Sequence, residues 1–391
     1  MSENWSRWRT SPVVERHVIL HGRSNRHNVP MARADKPERS AKHNGDILGI
    51  EHDRNVQHWY QLLMSVLRRI IHYLGFIPAT IVALVIAWSL YVFSWIIYPG
   101  LTLNRPTVFC FVVIFYSVLV LFVWSFWKLI FTDSVRIPHK FRLNPEETIS
   151  YIDSNGDRES RFYLKQLAKR KKIVSIFTET QHSVSFCDVC FIIQPDRTRH
   201  CVTCAKCIPK RDHHCLWING CVGFHNEKFF ILFIFYTVFY CAMCCACSLP
   251  RTIEFFKEPH SMNRSDLHIF FLAFASSLFL IVLAGLFAFQ MYLLLKNQTS
   301  LETFYPRNGK TITNYDLGWK MNFIQVFGPQ PMKWMFPIFF KINGFILNVL
   351  ISPFYTFHRT SWTFAKFSLG DGFTFPVQQS KTDYLDDYVF V

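Results

Sequence analysis

The chain alternates between long apolar stretches and polar segments that carry its charges. Four apolar stretches contain no Asp, Glu, Lys or Arg, and aromatic residues crowd their ends; they run over residues 73–98, 107–127, 229–249 and 268–295. About 20 helical residues cross the hydrocarbon core of a bilayer, and aromatic side chains are enriched where such helices meet the headgroups. The pattern therefore predicts four transmembrane helices rather than buried helices of a large soluble protein.

Composition supports an integral membrane protein. Of the 391 residues, 50% are hydrophobic and only 18% are charged, whereas about a quarter of the residues in soluble domains are charged. The formal net charge of +15 would also suit a nucleic-acid-binding protein. The distribution of the charges favours an anionic membrane surface instead, and we expect no nucleic-acid partner.

The positions of Lys and Arg predict the orientation in the membrane. Residues 1–72 hold 12 of them and residues 128–228 hold 17, whereas the short segments 99–106 and 250–267 hold one and three. Basic residues accumulate in cytosolic loops. We therefore predict that both termini and the large middle loop are cytosolic. The first apolar stretch lies too far from the N-terminus for a cleaved signal peptide, so it is expected to remain as a span.

These features divide the chain into five predicted parts. Residues 1–72 form a basic cytosolic N-terminal tail, and 73–127 carry the first two transmembrane helices. Residues 128–228 form a cytosolic loop with a cysteine-rich domain at about 185–228, 229–295 carry helices three and four, and 296–391 form a cytosolic C-terminal region. The predicted fold class is thus an all-α integral membrane protein with a cytosolic metal-binding domain between its second and third helices.

Seven of the twelve cysteines lie within 35 residues of the middle loop. In a reducing compartment, closely spaced C-x2-C pairs indicate metal sites rather than disulfides, and zinc takes four tetrahedral thiolate or imidazole ligands. The remaining five cysteines lie inside apolar stretches, where thiols usually behave as small apolar side chains. The run in the loop is Cys187-x2-Cys190-x9-His200-Cys201-x2-Cys204-x2-Cys207-x4-Asp212-His213-His214-Cys215-x5-Cys221.

Counting ligands leaves a remainder in this run. Seven Cys and three His make ten candidate ligands, and two sites of three Cys and one His use eight. Spacing does not decide which Cys and which His are left, but the dense tetrapeptide Asp212-His213-His214-Cys215 is the natural place for them. A Cys/His pair is a nucleophile with its base, and a carboxylate orients the imidazole. The alternative is a zinc scaffold in which all ten residues are structural or redundant ligands.

The run resembles the cysteine-rich domain of the DHHC-type protein S-acyltransferases (palmitoyltransferases), in the subgroup without ankyrin repeats. Further matches lie downstream. Asn226 and Phe230 fit the family's spacing, Thr299-Ser300-Leu301-Glu302 is similar to its TTxE motif, and the segment from Asn322 to Gly328 is similar to NxxxVFG. Leu369-Gly370-Asp371-Gly372 and Phe375-Pro376 resemble the tail of one subgroup. The chain departs from the family at Asp133-Ser134-Val135, where many members have Asp-Pro-Gly.

The resemblance implies specific roles within the cysteine-rich run. It implies one structural Zn²⁺ on Cys187, Cys190, His200 and Cys207, and a second on Cys201, Cys204, His214 and Cys221. Cys215 is then the free nucleophile, His213 its base and Asp212 the residue that orients the base. The implied activity is transfer of a long-chain fatty acyl group from acyl-CoA, such as palmitoyl-CoA, to cysteine thiols of membrane-associated proteins through an acyl-Cys215 intermediate.

Outside that run, the resemblance implies an acyl-chain site and a supporting region. Ser89 and Tyr240 are expected to meet at the closed end of the acyl-chain cavity and to limit the chain to about sixteen carbons. Thr299, Ser300 and Glu302 are expected to brace the catalytic domain, and Asn322 to cap a turn. Lys206, Lys210 and Arg211 are candidates for the CoA phosphates or for anionic lipid headgroups; the alternative is a solvated basic face.

Partners and location are predicted only by class. The expected partners are the bilayer, acyl-CoA, and membrane-associated or transmembrane substrate proteins with cytosolic cysteines. Golgi, plasma membrane and endoplasmic reticulum all remain open as the compartment. Residues 341–367 interrupt the family pattern and contain an apolar core too short to span. Two interpretations stand, an interfacial segment and an aberrant gene model.

Overall fold

The computed structural model describes residues between 59 and 375. The residues it does not describe are 1–58, 60–61, 64–65, 68–69, 72, 101–103, 155, 174–183, 258–262, 306–314, 339–370, 374 and 376–391. Most of the predicted N-terminal tail, the segment 341–367, and the motif residues Leu369, Gly370 and Pro376 therefore lie outside the described residues.

The chain divides into two compact units. In the first unit, which comprises residues up to Leu74 together with Asp188–Cys190, the described residues from Trp59 to Leu74 are helical and Asp188–Cys190 form a turn. The second unit holds the rest of the described chain from Gly75 onward and contains all the elements named below.

Four helices of the described chain are long and apolar enough to cross a membrane, which confirms the predicted number of spans. They are α1 (Ile77–Tyr91), extended by a π-helical turn at Val92–Ile97 and a 3-10 turn at Tyr98–Gly100, α2 (Arg105–Phe131), α5 (Glu227–Lys257) and α6 (Arg264–Leu295). Proline stands in the first turn of α1 and α2, where its missing N–H costs nothing. Asn104 caps α2 by accepting a hydrogen bond from the Thr107 N–H at 3.0 Å.

The third span, α5, is the central helix of the four. Half of the residues in its most apolar 18-residue stretch are buried by protein, whereas the fraction is 17–22% in the other three spans. Helix α5 packs against α2 and α6. Phe115, Phe122 and Tyr240 belong to the cluster of buried side chains between the spans. Apolar side chains such as Val120 and Ile281 point outward and are mostly exposed, as expected for helices that face lipid.

Two helices precede the cysteine-rich domain. Helix α3 (Pro145–Asp153) begins with a capping box in which Asn144 and Glu147 satisfy each other's backbone donors, and helix α4 is Asp157–Arg170. Lys171, directly after α4, pairs with Glu147 at 2.6 Å. This contact ties the start of α3 to the end of α4.

The cysteine-rich domain consists of three short antiparallel hairpins among the described residues, a feature that the predicted all-α fold did not include. They pair β1 (Phe186–Cys187) with β2 (Ile192–Ile193), β3 (Arg199–Cys201) with β4 (Lys206–Ile208), and β5 (His213–Cys215) with β6 (Gly220–Val222). The register places His200 opposite Cys207 and His214 opposite Cys221. Side chains directly opposite each other lie on the same face of a hairpin, so each register already pairs one imidazole with one thiol.

The region after α6 contains two further helices. Helix α7 (Ser300–Phe304) starts with a capping box between Thr299 and Glu302, and helix α8 (Trp319–Phe327) ends at Gly328, whose φ of +84° suits glycine. A 3-10 turn follows at Pro331–Lys333. Asp371, Gly372, Phe373 and Phe375 are the last described residues.

Candidate active site and metal-binding clusters

Two sets of Cys and His in the cysteine-rich domain could each hold a metal ion. The ligand atoms within each set lie within 4.8 Å of one another. The first set is Cys187, Cys190, His200 and Cys207, and the second is Cys201, Cys204, His214 and Cys221. These are the eight residues that the family resemblance implied, in the same two groups.

The separations within the sets fit zinc. With Zn–S and Zn–N bonds of about 2.3 and 2.0 Å and tetrahedral angles, sulfur and nitrogen ligands of one ion lie roughly 3.6 Å apart. The Nδ1 atom of His200 lies 3.6 and 3.8 Å from the sulfurs of Cys187 and Cys207. In the second set, the Nδ1 atom of His214 lies 3.3 to 3.8 Å from the sulfurs of Cys201, Cys204 and Cys221.

Cys215 belongs to neither set within the described part of the chain. It ends strand β5, its side chain is buried, and it packs with Ile218 and Phe230 where the cysteine-rich domain meets the spans. After it come a 3-10 turn at Leu216–Ile218 and Asn219 with a φ of +48°. This loop is pressed against the start of α1, because a Cβ at Gly75 would lie only 2.4 Å from Asn219 Oδ1.

His213 lies between Asp212 and Cys215. Its Nδ1 atom is 2.7 Å from Asp212 Oδ2, and the Phe230 ring packs edge-on against the imidazole at 5.1 Å. Burial alone would lower the pKa of His213, but hydrogen bonds with Asp212 and with the Cys215 thiol, together with the charges of both partners, raise that pKa to about 9. The cationic imidazole is therefore favoured at neutral pH, and a cationic imidazole stabilises an adjacent thiolate.

Asp212 is held by helix α7 as well as by His213. The backbone N–H of Ser300 donates to Asp212 Oδ1, and the Ser300 hydroxyl donates to Oδ2 at 3.0 Å. Burial alone would raise the pKa of Asp212, but the His213 hydrogen bond and charge and the two Ser300 donors hold it below its ordinary value. Asp212 therefore stays ionised and fixed beside the imidazole.

A buried arginine, which sequence analysis did not single out, holds α7 against the cysteine-rich domain. Arg197 binds Glu302 with two parallel hydrogen bonds of 2.8 and 2.7 Å and donates to the side-chain and backbone oxygens of Asn297, both at 2.9 Å. Burial alone would raise the pKa of Glu302, but the charge and hydrogen bonds of Arg197 lower it. Glu302 is the sequence signal that could have pointed to such an arginine, because a buried carboxylate requires a cationic partner.

The two predicted asparagines hold chain segments together. Asn226 accepts from the Gly223 N–H at 3.0 Å and donates to the Cys221 carbonyl at 3.2 Å, which ties the last ligand of the second set to the start of α5. Asn322 accepts from the Leu317 N–H at 2.9 Å and donates to the Leu295 carbonyl at 2.7 Å. It therefore joins the end of α6 to α8.

Ser89 on α1 and Tyr240 on α5 meet inside the bundle. Their hydroxyl groups are 2.9 Å apart, and both side chains are buried. The rings of Phe115 and Phe122 lie 5.3 and 5.6 Å from the Tyr240 ring. The structure thus brings together the two residues expected at the end of the acyl-chain site.

The three basic candidates for CoA phosphates differ in their surroundings. Lys206 is exposed and donates to the Ser134 hydroxyl at 2.8 Å, and Arg211 donates to the His200 carbonyl at 2.7 Å. Lys210 is buried and paired with Glu227 at 2.7 Å. Since this pair joins the cysteine-rich domain to the first residue of α5, Lys210 has a structural partner and Lys206 is the most accessible of the three.

Four helices of membrane-spanning length, two Cys/His metal-binding clusters and a separate cysteine next to an imidazole–carboxylate pair define a class of multi-pass membrane protein with a cysteine-rich domain. Residues 180–306 match the sequence model of the DHHC palmitoyltransferase family. Palmitoyltransferase ZDHHC20-A of Danio rerio is 33% identical over 316 residues, which cover 79% of this chain and 80% of that protein. Human palmitoyltransferase ZDHHC2 is 35% identical over 287 residues (71% and 76%), and human ZDHHC15 is 32% identical over 284 (72% and 83%).

The chain belongs to the DHHC palmitoyltransferase family. It is a multi-pass membrane protein with protein S-palmitoyltransferase function, and the predictions of family, fold class and function are confirmed at this level.

Proposed function

We propose that Cys215 carries the acyl group, with His213 as its base and Asp212 as the residue that orients His213. The supporting observation is the position of one thiol beside an imidazole–carboxylate pair, while the other cysteines of the run belong to the two metal-binding sets. The reaction is transfer of a long-chain acyl group, palmitoyl above all, from acyl-CoA to a cysteine of a membrane-associated protein.

The first step acylates the enzyme. In the cationic form that its raised pKa favours, His213 already holds on Nε2 the proton taken from the Cys215 thiol, because Asp212 occupies Nδ1. The thiolate attacks the thioester carbonyl of acyl-CoA, the carbon–sulfur bond to CoA breaks, and His213 returns a proton to the departing CoA thiolate. Acyl-Cys215 and free CoA result.

The second step repeats the chemistry with another thiol. His213 accepts the proton of the substrate cysteine, whose sulfur attacks the acyl-Cys215 carbonyl, and the proton then returns to Cys215 as its thioester bond breaks. Each step exchanges one thioester for another and is close to isoenergetic. Positioning and the thiolate fraction therefore govern the rate.

Two zinc ions held by the eight Cys and His residues would supply folding energy, roughly 10–16 kcal/mol per site in small zinc domains. The fit rests on the sulfur–nitrogen separations and on the thiolate and imidazole donor set. Cys207 of the first set follows Cys201 and Cys204 of the second along the chain, and this interleaving ties the three hairpins into one body that supports β5.

The site must serve two ends of one molecule. Burial of each methylene contributes about 0.8 kcal/mol, so some fifteen carbons of a palmitoyl chain favour apolar surroundings by on the order of 12 kcal/mol. The phosphates of CoA require water. The packing of Cys215 with Ile218 and Phe230 at the end of the spans supports a position next to the apolar region. We propose that the chain lies between the spans and that Ser89 and Tyr240 limit its length.

The orientation follows the charge distribution. We propose that both termini and the cysteine-rich domain are cytosolic and that the substrates are membrane-associated or transmembrane proteins with cytosolic cysteines. Lys206 is the basic side chain best exposed for CoA phosphates or lipid headgroups.

The test is acyl labelling of the purified protein. Incubation of wild type with labelled palmitoyl-CoA should give a protein-bound label that neutral hydroxylamine releases, because hydroxylamine cleaves thioesters. Cys215→Ser should take no such label while it keeps its zinc content and its elution as a folded protein. Cys247→Ser, which changes a thiol inside α5, is the matched control and should label like wild type.

The same experiment separates the enzyme from a zinc-bearing membrane scaffold. If wild type retains zinc and takes no label, the scaffold is the better description. If Cys215→Ser still takes a hydroxylamine-sensitive label, another cysteine carries the acyl group and the assignment of Cys215 is wrong.

A further inference from the structure

A short segment near the C-terminus docks onto the cysteine-rich domain. This segment, the C-terminal clasp, comprises Asp371, Gly372, Phe373 and Phe375. Asp371 Oδ1 accepts a hydrogen bond from the Phe373 N–H at 2.8 Å, which closes a turn. Gly372 has a φ of +80°, and a Cβ there would lie 2.8 Å from the Phe224 ring. Both the backbone conformation and the close approach therefore require glycine.

The aromatic ring of Phe375 closes over a buried cation. Phe375 is only 8% exposed, and its ring lies edge-to-face with those of Tyr315 and Phe224 at 6.1 and 6.2 Å. The guanidinium carbon of Arg197 lies 5.1 Å from the centre of the Phe375 ring and 4.4 Å from that of Tyr315. Aromatic faces attract a guanidinium group, most strongly where water is excluded. Two aromatic rings thus lie against the Arg197 guanidinium group.

From Arg197 a chain of hydrogen bonds leads to the catalytic pair. The guanidinium holds Glu302 through two bonds, and Glu302 Oε2 accepts the Thr299 N–H at 2.9 Å in the capping box of α7. The next residue, Ser300, donates its N–H and its hydroxyl to Asp212. Every link joins buried or half-buried groups.

We propose that Phe375 is a positioning residue for acyl transfer, which acts through Arg197, Glu302 and the start of α7 on Asp212. This inference rests on the proposed roles of Cys215, His213 and Asp212. Removal of the ring frees one face of the guanidinium, so that Arg197 tilts, α7 shifts and Asp212 no longer holds the imidazole in line with the thiol. A small displacement of a catalytic group costs a large factor in rate.

A neighbouring side chain provides the matched control. Phe373 belongs to the same segment, but its ring lies 5.9 Å from that of Phe141, among the buried residues next to α4. It therefore anchors the clasp on a separate cluster, whereas the Phe375 ring lies at Arg197. A loss of packing alone is tested by Phe373→Leu, and a loss of the ring over Arg197 by Phe375→Leu.

The experiment measures single-turnover acylation of the full-length protein in detergent with labelled palmitoyl-CoA. Phe375→Leu should lower the maximal rate constant of acylation about tenfold and leave the concentration of palmitoyl-CoA for half-maximal rate within about twofold, with zinc content unchanged. Phe375→Tyr, which keeps the ring, should restore most of the rate, and Phe373→Leu should stay within about twofold of wild type. A wild-type rate in Phe375→Leu, or a change confined to the half-maximal concentration, overturns the proposal.

A double-mutant cycle tests the route. In a Ser300→Ala background, where Asp212 has lost the hydroxyl donor, Phe375→Leu should reduce the rate by a smaller factor than in wild type. In a Ser89→Ala background the factor should be unchanged. Equal factors in both backgrounds contradict action through α7. If Phe375→Leu does not fold, Tyr315→Leu is tested in its place, because it removes the second ring next to Arg197. Wild-type acylation in Tyr315→Leu would then overturn the proposal.

The outcomes also separate this inference from the function on which it rests. If wild type takes no hydroxylamine-sensitive label, the proposed function fails. If wild type takes the label and Phe375→Leu takes it at the same rate, the function stands and the role of Phe375 is refuted.

Discussion

Asp212 connects the imidazole of His213 to the start of helix α7. One of its oxygens serves both the imidazole of His213 and the hydroxyl of Ser300, and the other accepts the Ser300 backbone donor. A carboxylate in this position selects the tautomer of the imidazole and stabilises its cationic form. Substitution by an amide would keep the shape and remove both effects.

Asp212→Asn should therefore lower the rate of enzyme acylation by on the order of 10²–10⁴, the range typical of general acid–base catalysis; the same change in a Ser-His-Asp triad costs about 10⁴. Zinc content should not change, since Asp212 is in neither metal-binding set. Ser300→Ala is the milder comparison, because the backbone donor of residue 300 remains, and it should cost less than tenfold. A near-normal rate in Asp212→Asn would contradict the orienting role; single-turnover labelling measures all three proteins.

Glu302 gives a prediction for the pH dependence of stability. Its pKa is lowered in the folded protein from the ordinary 4.5, so its ionised form stabilises the fold above that pH. The contribution is lost as the pH falls through the lower folded-state pKa. Glu302→Gln should cost about 3 kcal/mol at pH 7, because it leaves the Arg197 charge without its carboxylate.

Thermal unfolding of both proteins in detergent from pH 7 to pH 3 checks this. The difference between wild type and Glu302→Gln should be largest near neutral pH and shrink below about pH 4.5. Glu146→Gln, a change at an exposed carboxylate on α3, is the control and should unfold like wild type. A difference that grows towards acid would show that the sign of the Glu302 contribution is wrong.

At the scale of elements, the three hairpins owe their form to their ligands more than to their length. Strands of two or three residues bury little surface, but each of the last two hairpins places a His directly opposite a Cys of the same set. The sequence predicted these ligand sets by family resemblance and predicted four spans from charge-free length. It did not predict the hairpins, because such strands carry no period-two pattern. It also missed Arg197, whose partners lie about 100 residues away.

The metal-binding sets predict which cysteine substitutions damage the fold. Cys204→Ala should lose the ion of the second set and unfold at a lower temperature, because bound metal is folding energy in such domains. Cys215→Ala should retain both ions and melt like wild type. Zinc analysis of the purified proteins, with a melting curve for each, decides this. Equal zinc loss in both variants would show that Cys215 is itself a ligand.

The contact between α1 and α5 predicts the chain-length preference. Tyr240→Ala removes a buried ring from the bundle and should shift the preference to acyl chains longer than sixteen carbons, whereas Ser89→Phe adds a ring there and should shift it to shorter ones. Competition between acyl-CoAs of different length in the labelling assay measures the ratio. Phe239→Ala is the control, since this neighbouring ring is half exposed. An unchanged ratio in both Ser89→Phe and Tyr240→Ala would contradict the proposed limit.

For the whole molecule, orientation is the property that decides which proteins can be substrates. In the proposed orientation, with four spans and both termini cytosolic, tags at the N- and C-termini should both be digested by protease added to sealed microsomes. A lumenal marker protein should be protected in the same sample until detergent is added. Protection of either tag would mean that the charge distribution gives the wrong topology.

One continuous helix links the surroundings of the proposed nucleophile to the proposed end of the acyl-chain site. Helix α5 carries Phe230 against His213 near its first turn and Tyr240 against Ser89 ten residues further on, a rise of about 15 Å. The helix therefore holds Phe230 and Tyr240 at a fixed separation. Insertion of a single residue between the two positions would add about 1.5 Å and turn Tyr240 by about 100°. Exchange of the side chain at position 240 leaves the helix unchanged. The preferred acyl-chain length can therefore evolve far more readily by such an exchange than by a change in the length of the helix.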